Sequence, residues 1–198
     1  MQAVEYLLTK YAPSDDLERR DLESFRLFAS QGGKEIYDRI PGRPTITASA
    51  VVANPGFAKI LVMHHKLHGF YKQFGGHSDG DPNLAHVAEK ELFEESGAKG
   101  ELLLQTPFDI IRWNFPERTK NGIFYPAHDN FDIAFLFRMD EAQKLILNKS
   151  EVLDTKWLGL EAWRDYSDMT NPTYAQNPQN LDYQRRIYAK LKQFAKTL

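Results

Sequence analysis

Residues 76–98 read GHSDGDPNLAHVAEKELFEESGA, and one turn near the end of this stretch carries Glu91, Glu94 and Glu95. An α-helix advances about 100° per residue, so positions i, i+3 and i+4 fall within one narrow arc. Like charges at i,i+4 weaken a helix by roughly 0.2–0.5 kcal/mol. A hard divalent cation with oxygen ligands would offset that repulsion. Such an ion can grip substrate phosphates and activate water. A bare E-x-x-E-E also describes an ordinary solvated acidic face, so the flanks decide between the two readings.

Both flanks favour a site. Asp81 is the expected N-cap, with Pro82 at the first helical position, where a missing N–H costs nothing. Gly97 suits the left-handed residue that ends a helix. Leu84, Ala85, Val87, Ala88 and Leu92 supply a packing side. Upstream, QFGGHSDGD reads as a glycine-rich loop that lets backbone approach a ligand and leads into a helix N-terminus, a ready anion site. Loop, helix and acidic triplet together specify a phosphate-and-metal site better than any one of them.

With these residues in view, the chain resembles the Nudix hydrolases. Their signature runs Gly, five residues, Glu, seven residues, Arg-Glu, an apolar residue, any residue, Glu-Glu, any residue, Gly, apolar. Gly76, Glu91, Leu92, Glu94, Glu95, Gly97 and Ala98 match in register, whereas Pro82 replaces the first Glu and Lys90 the Arg. ITASAVVANPGFAKILVMHHKLHGFYKQFGGHSDGD resembles the strands and loop of a subgroup marked by GGH-x-DGD before the box. HDNFDIAFLF and SEVLDTKWLGLEAW resemble that subgroup's later strands. The resemblance spans roughly residues 4 to 165 and implies a Nudix-like α/β/α sandwich with a mixed sheet, extended here by N-terminal and C-terminal helices.

Composition bounds the remaining possibilities. The 198 residues are 42% hydrophobic and carry a formal net charge of −2. One core suffices for that length, and a single domain is expected, with residues 1–44 as a helical extension, 45–165 as core and 166–198 as a closing loop and helix. Basic residues are scattered, so no footprint for duplex nucleic acid is seen. The chain has no cysteine, which excludes disulfides, thiolate nucleophiles and Cys-ligated zinc. No apolar run of about 18 residues predicts a membrane span, and the first residues make a poor secretory signal. A cytoplasmic protein without membrane partners is expected, and its oligomeric state is open.

Periodicity predicts helices over 3–11, 15–30 and 181–196, the last after a polar loop rich in Asn and Pro. Thr45–Ala53 and Ala58–His65 read as strands joined at Asn54-Pro55-Gly56. Leu102–Gln105, Ile110–Phe115, Asp132–Phe137 and a short Lys156–Leu158 are further strands, and Asp140–Leu147 fits either helix or strand.

The expected chemistry is hydrolysis of a phosphoanhydride, in a nucleoside diphosphate linked to another group or a related diphosphate, by activated water. Glu95, Glu94 and Glu91 are the expected ligands of Mg2+, with Mn2+ as substitute, and the resemblance adds the carbonyl of Gly75. Glu91 is a candidate general base, with Glu151 its main rival and Asp132 a weaker one. His77 and Gly76 in the loop, and Arg112 on a strand, are candidate substrate contacts. Lys90 and Asp81 are expected to brace the acidic helix. Trp113 and Phe115 serve equally as core or as stacking surfaces, and Tyr71 and Phe74 as pocket or apolar layer. His128 with Asp132 reads either as part of the site or as a strand-end pair. His64 and His65 point to opposite strand faces, so His64, His65 and His68 read as hairpin surface, and His86 as an exposed helix residue. Isomerisation, as in isopentenyl diphosphate isomerases, is set aside because those enzymes use a cysteine. A catalytically weak nucleotide- or diphosphate-binding module on the same fold is the alternative.

Overall fold

Apolar β-branched runs and their turns build the sheet of this protein. The structure is a computed structural model that describes residues 4–120, 123–166 and 178–198. The N-terminal part folds into α1 (Val4–Lys10) and α2 (Asp16–Gln31), followed by a short 3-10 turn, Lys34–Tyr37. The strands are β1 (Thr45–Ala53), β2 (Lys59–His65), β3 (Phe70–Lys72) and β4 (Phe74–His77). After α3 (Leu84–Ser96) come β5 (Glu101–Leu102), β6 (Asp109–Phe115), β7 (Arg118–Lys120), β8 (Ile123–Tyr125), β9 (His128–Arg138) and β10 (Val152–Gly159). The chain closes with α4 (Leu160–Arg164) and α5 (Pro178–Phe194).

The fold class is α/β: among the described residues, an open mixed sheet with five helices. Eight strands form the main sheet, in the order β10-β2-β1-β9-β5, with β3 on β2, β4 on β1 and β6 on β9. A separate two-stranded ribbon pairs β7 with β8. Backbone contacts divide the chain into two interleaved units, Met1–Ser49 with Gly75–Ala88 and Gln105–Phe135, and Ala50–Phe74 with Glu89–Leu104 and Leu136–Leu198.

In the first unit, α2 packs its apolar stripe on β9. Phe25 and Phe28 stack on Phe131 with centroids 4.9 and 4.8 Å apart. The start of α2 is held by an acid that the apolar pattern does not announce. Asp15 caps the helix by accepting from the Glu18 amide at 2.7 Å. The Glu18 carboxylate is itself fully buried. It accepts from the Ser14 amide and hydroxyl at 2.6 and 2.8 Å, from the Ile110 amide at 3.3 Å and from the Tyr11 hydroxyl. One carboxylate thereby ties the helical extension to β6.

In the second unit, β2 and β10 pair antiparallel from Val152↔His65 to Gly159↔Lys59. The hairpin between β1 and β2 turns at Asn54, whose side-chain oxygen accepts from the amides of Ala58 and Lys59 at 2.9 and 3.0 Å. Phe57 follows with φ of 51°.

The expected helices and the β1–β2 hairpin are present, and several boundaries change. Lys156–Leu158 is the middle of an eight-residue β10, because β2 offers it a partner along its whole length. Leu102–Gln105 shrinks to Glu101–Leu102, where pairing with Arg138 and Phe137 ends. Asp140–Leu147 is neither helix nor strand; its backbone is spent on turns and on the end of α3. Gly75–His77 is strand rather than loop, and the loop proper begins at Ser78. Most of the Asn- and Pro-rich loop before α5 lies outside the described residues.

The Glu18 cluster makes a test of how the helical extension is held. Glu18→Ala strands the Ser14 and Ile110 amides and should lower unfolding stability by about 3 kcal/mol. Urea denaturation of the two proteins measures the difference.

Candidate metal and phosphate site

In the first unit, the glycine pair lies against a polar patch of β1. Gly75 has φ of +147°, and a Cβ there would sit 2.6 Å from the Ala48 carbonyl and 2.7 Å from both Cα and Oγ of Ser49. Only glycine permits this approach. The Ser49 hydroxyl donates to Asp132 Oδ1 at 2.9 Å, and the Thr47 hydroxyl donates to the same oxygen at 2.6 Å. Asp132 is 2% exposed, so these hydroxyls replace water that the carboxylate has lost. The loop after β4 is pinned by Ser78, whose hydroxyl lies 2.8 Å from the Tyr37 carbonyl and whose amide donates to Ile46 at 3.1 Å. Asp79 and Gly80 then turn with φ of 46° and 87°.

The start of α3 differs from the expectation. Asp81 is not the cap. The helix begins at Leu84, and Asn83 accepts from the His86 amide through its side chain at 3.3 Å and from Val87 through its carbonyl at 3.0 Å. Asp81 lies two residues earlier, where it accepts from the Asn83 amide at 2.8 Å and meets His86 Nδ1 at 2.7 Å. Asn competes as well as Asp for the cap position. The residue after Pro82 can therefore cap while proline sits outside the helix.

The other half of α3, in the second unit, carries the acids. Leu92 and Glu95 are buried, Glu91 is half-buried and Glu94 is exposed. Lys90 Nζ stands 3.9 Å from Glu94 Oε1, an exposed i,i+4 pair worth about 0.3–0.5 kcal/mol. Glu94 and Glu95 lie in the last turn, at the negative end of the helix dipole, where a cation rather than an anion is favoured, with Glu91 one turn earlier.

That end is closed by the segment after β9. Gly97 adopts φ of +66° and its amide returns to Phe93 at 2.7 Å. The Ile146 amide donates to the Ser96 carbonyl at 2.7 Å, and the Asn148 amide donates to the Glu95 carbonyl at 3.1 Å. Asn148 also reaches Glu151, donating from its side-chain nitrogen to Oε2 at 3.3 Å, while its side-chain oxygen accepts from Ser150. Glu151 and the acidic turn are thus joined through one residue.

Among the described residues, no group of three or more His, Asp or Glu side chains is gathered so as to hold a metal ion. Glu91, Glu94 and Glu95 share an arc without converging on one point. Their chemistry nonetheless fits a hard divalent cation: all-oxygen donors, one of them 3% exposed, at the dipole end that a cation favours.

Other candidates are separated by strand alternation. Gly76 and His77 lie on β4, both half-buried. Arg112 and Trp113, neighbours in sequence, take opposite faces of β6. Arg112 turns toward α2, donating to Asp129 Oδ2 at 2.7 Å and reaching Ser24 Oγ at 3.4 Å. Phe74 is fully buried core. Tyr71 instead donates to Asp154 at 2.7 Å, with Lys156 Nζ 3.8 Å from its ring centroid. His65 stacks on His68 at 4.4 Å within the hairpin turn. Thr47, Ser49 and Asn148 escaped the sequence reading because a hydroxyl or amide in an ordinary strand or turn carries no spacing signal.

The close approach at Gly75 sets an expected cost. Gly75→Ala places a methyl against β1 backbone at a glycine-favoring φ, and should destabilise the protein by about 2 kcal/mol. Thermal and urea unfolding would read it. A fall far smaller than that would mean the β1–β4 contact is loose.

No protein-family model matches the sequence, and no curated protein matches it. Solved structures do resemble the fold. A dihydroneopterin triphosphate pyrophosphohydrolase of E. coli superposes with a TM-score of 0.50 at 13% identity, covering 77% of this chain and 96% of that one. An Ap4A hydrolase of C. elegans gives 0.49 at 18% identity, covering 75% and 98%. A NUDIX-family hydrolase from Clostridium perfringens gives 0.49 at 17%, covering 70% and 96%. At these identities the likeness is one of fold alone, and it is the first of the three that carries it: the chain shares the α/β fold of the E. coli structure.

Proposed function

We propose that this chain is a Nudix-type pyrophosphohydrolase of the GGH-x-DGD subgroup, cleaving a phosphoanhydride in a small diphosphate substrate with the help of Mg2+, which Mn2+ can replace. The observation that carries the reading is the acidic last turn of α3, in signature register and with Glu95 buried. Glu91, Glu94 and Glu95 would hold the ion, joined by the Gly75 carbonyl that the resemblance adds. A divalent cation bound there would supply positive charge to the substrate's phosphates and make water more acidic.

The chain's own residues do the rest. Glu91 or Glu151 accepts the proton of the attacking water; the bridging P–O bond breaks and the leaving phosphate keeps the electron pair. Asn148, hydrogen-bonded to Glu151, holds that carboxylate in a fixed relation to the Glu95 backbone. Gly76 and His77 follow Gly75 on β4 and are proposed phosphate contacts, with Arg112 retained as a substrate contact that must first leave Asp129. Lys90 braces Glu94. The cysteine-free composition suits a cytoplasmic enzyme, and no described helix is long and apolar enough to cross a membrane.

A phosphate-release assay over a panel of diphosphate compounds, with and without Mg2+, tests the reading. Magnesium-dependent release is expected. Binding without release would favour the binding-module alternative, to which the Pro82 and Lys90 departures point.

Glu95→Gln should lower kcat by roughly 100-fold or more while the metal-free protein melts no lower, since a buried charge and an i,i+4 repulsion are both removed. Undiminished turnover in this variant would sink the ligand assignment. Lys90→Arg should be tolerated and Lys90→Ala should lower turnover. Pro82→Ala should leave kinetics unchanged because Asn83 caps the helix. Hydrolysis in heavy-oxygen water should label a phosphate-containing product; a phosphorylated protein intermediate would contradict direct attack by water.

A further inference from the structure

β10 ends the main sheet. Its eight residues pair with β2 on one side, and among the described residues no strand pairs with them on the other. In an antiparallel ladder, alternate residues turn their backbone groups toward the neighbouring strand, and the residues between turn theirs away. The phase is fixed at the end of β10, where the Leu160 amide donates to the Ala58 carbonyl at 3.0 Å, in register with Gly159↔Lys59. Counting back by twos, Leu158, Lys156 and Asp154 bond to β2. Thr155 and Trp157 present their N–H and C=O groups outward, and no described residue is bonded to them there.

An open edge of this length is a template for another strand, and proteins commonly block such edges with proline, charge or a covering element. β10 contains no proline. A bulge at Leu153 leaves that side chain 57% exposed. The two charges of the strand, Asp154 and Lys156, share one face. Asp154 accepts from the Tyr71 hydroxyl at 2.7 Å, and Lys156 Nζ stands 3.8 Å from the centroid of the same ring. Tyr71 lies on β3, beyond β2, so both charges lean inward over the sheet and leave the outer edge clear.

We infer that β10 pairs antiparallel with β10 of a second copy of this chain, about a two-fold axis through Thr155, so that the sheet continues across an isologous interface. Charge selects the partner and the register. Outward residues must face outward residues, so the axis passes through a residue of the strand. An axis at Asp154 or at Lys156 sets like charges directly opposite each other, which is unfavourable. An axis at Trp157 gives neither charge a partner. An axis at Thr155 sets Asp154 opposite Lys156 of the second copy, and does so twice. Thr155 then exchanges both backbone bonds with its counterpart, and the half-buried Trp157 comes opposite the Leu153 that the bulge leaves exposed. The pairing does not depend on the proposed hydrolysis.

Sedimentation equilibrium of the full chain over a wide range of concentration tests this, and a reversible dimer is expected. Thr155→Pro removes an outward N–H that β2 does not use, so the variant should fold and remain monomeric. Asp154→Lys and Lys156→Asp each set like charges opposite each other and should weaken dimerisation roughly tenfold or more, whereas the two together should restore it. On the unaltered protein, hydrogen exchange at the Thr155 and Trp157 amides should slow as concentration rises, which keeps the test decisive if a variant misfolds. A monomer at every concentration overturns the inference, as does a dimer that survives Thr155→Pro. A dimer in which those two amides exchange at one rate throughout, or a folded charge swap that restores nothing, overturns it equally. Dimerisation seen only after Lys156→Val would show instead that Lys156 guards the edge, and would overturn it too.

Discussion

The acidic turn depends on how α3 ends. A helix leaves its last carbonyls without partners, and here two of them, on Glu95 and Ser96, are taken by the amides of Asn148 and Ile146. Gly97 makes the turn possible: a Cβ there would come within 3.0 Å of the Ile146 Cβ. Carboxylates in that last turn add to the negative end of the dipole and to one another's repulsion. Within the second unit, Asn148 holds the turn through the Glu95 carbonyl and Leu92 is buried beside it, which maintains an arrangement that the helix alone disfavours. A bound cation would offset both the dipole and the repulsion.

Buried acids recur in this protein, and each is handled differently. Glu18 is surrounded by amide and hydroxyl donors and serves to fasten α2 to β6. Asp132 takes two hydroxyls on one oxygen, beneath the Gly75 contact. Glu95 is buried in the last turn of α3, among like charges. Burial alone does not distinguish them: Glu18 accepts from amide and hydroxyl donors, whereas Glu95 shares its arc with Glu91 and Glu94. Amide and hydroxyl donors favour the charged form of a buried carboxylate, and neighbouring carboxylates oppose it.

Much of this was legible in the sequence. The acidic spacing, the left-handed Gly97 and the β1–β2 hairpin at Asn54 follow from local chemistry, and the structure has them. What failed to show was whatever depends on a partner distant in the chain. Lys156–Leu158 looked short because its charged and polar residues obscure a strand that β2 completes. Gly75–His77 looked like loop because two glycines mark flexibility, but their strand geometry is set by β1. The cap moved from Asp81 to Asn83 because both residues cap well and the sequence alone does not rank them. Arg112 and Trp113 are neighbours in sequence, and the pleat parts them. Glu18 went unnoticed as an anchor because its donors come from residues 11, 14 and 110.

We place the proposed divalent cation at the acidic turn of α3. Paramagnetic Mn2+ titrated into isotopically labelled protein tests it by location, since relaxation of amide signals falls off steeply with distance from the ion. Signals of Glu91–Gly97 and of Asn148–Glu151 should broaden first, and excess Mg2+ should restore them. Broadening that begins elsewhere, at Asp15 and Asp16 or at Asp79 and Asp81, with the α3 signals untouched, would contradict it.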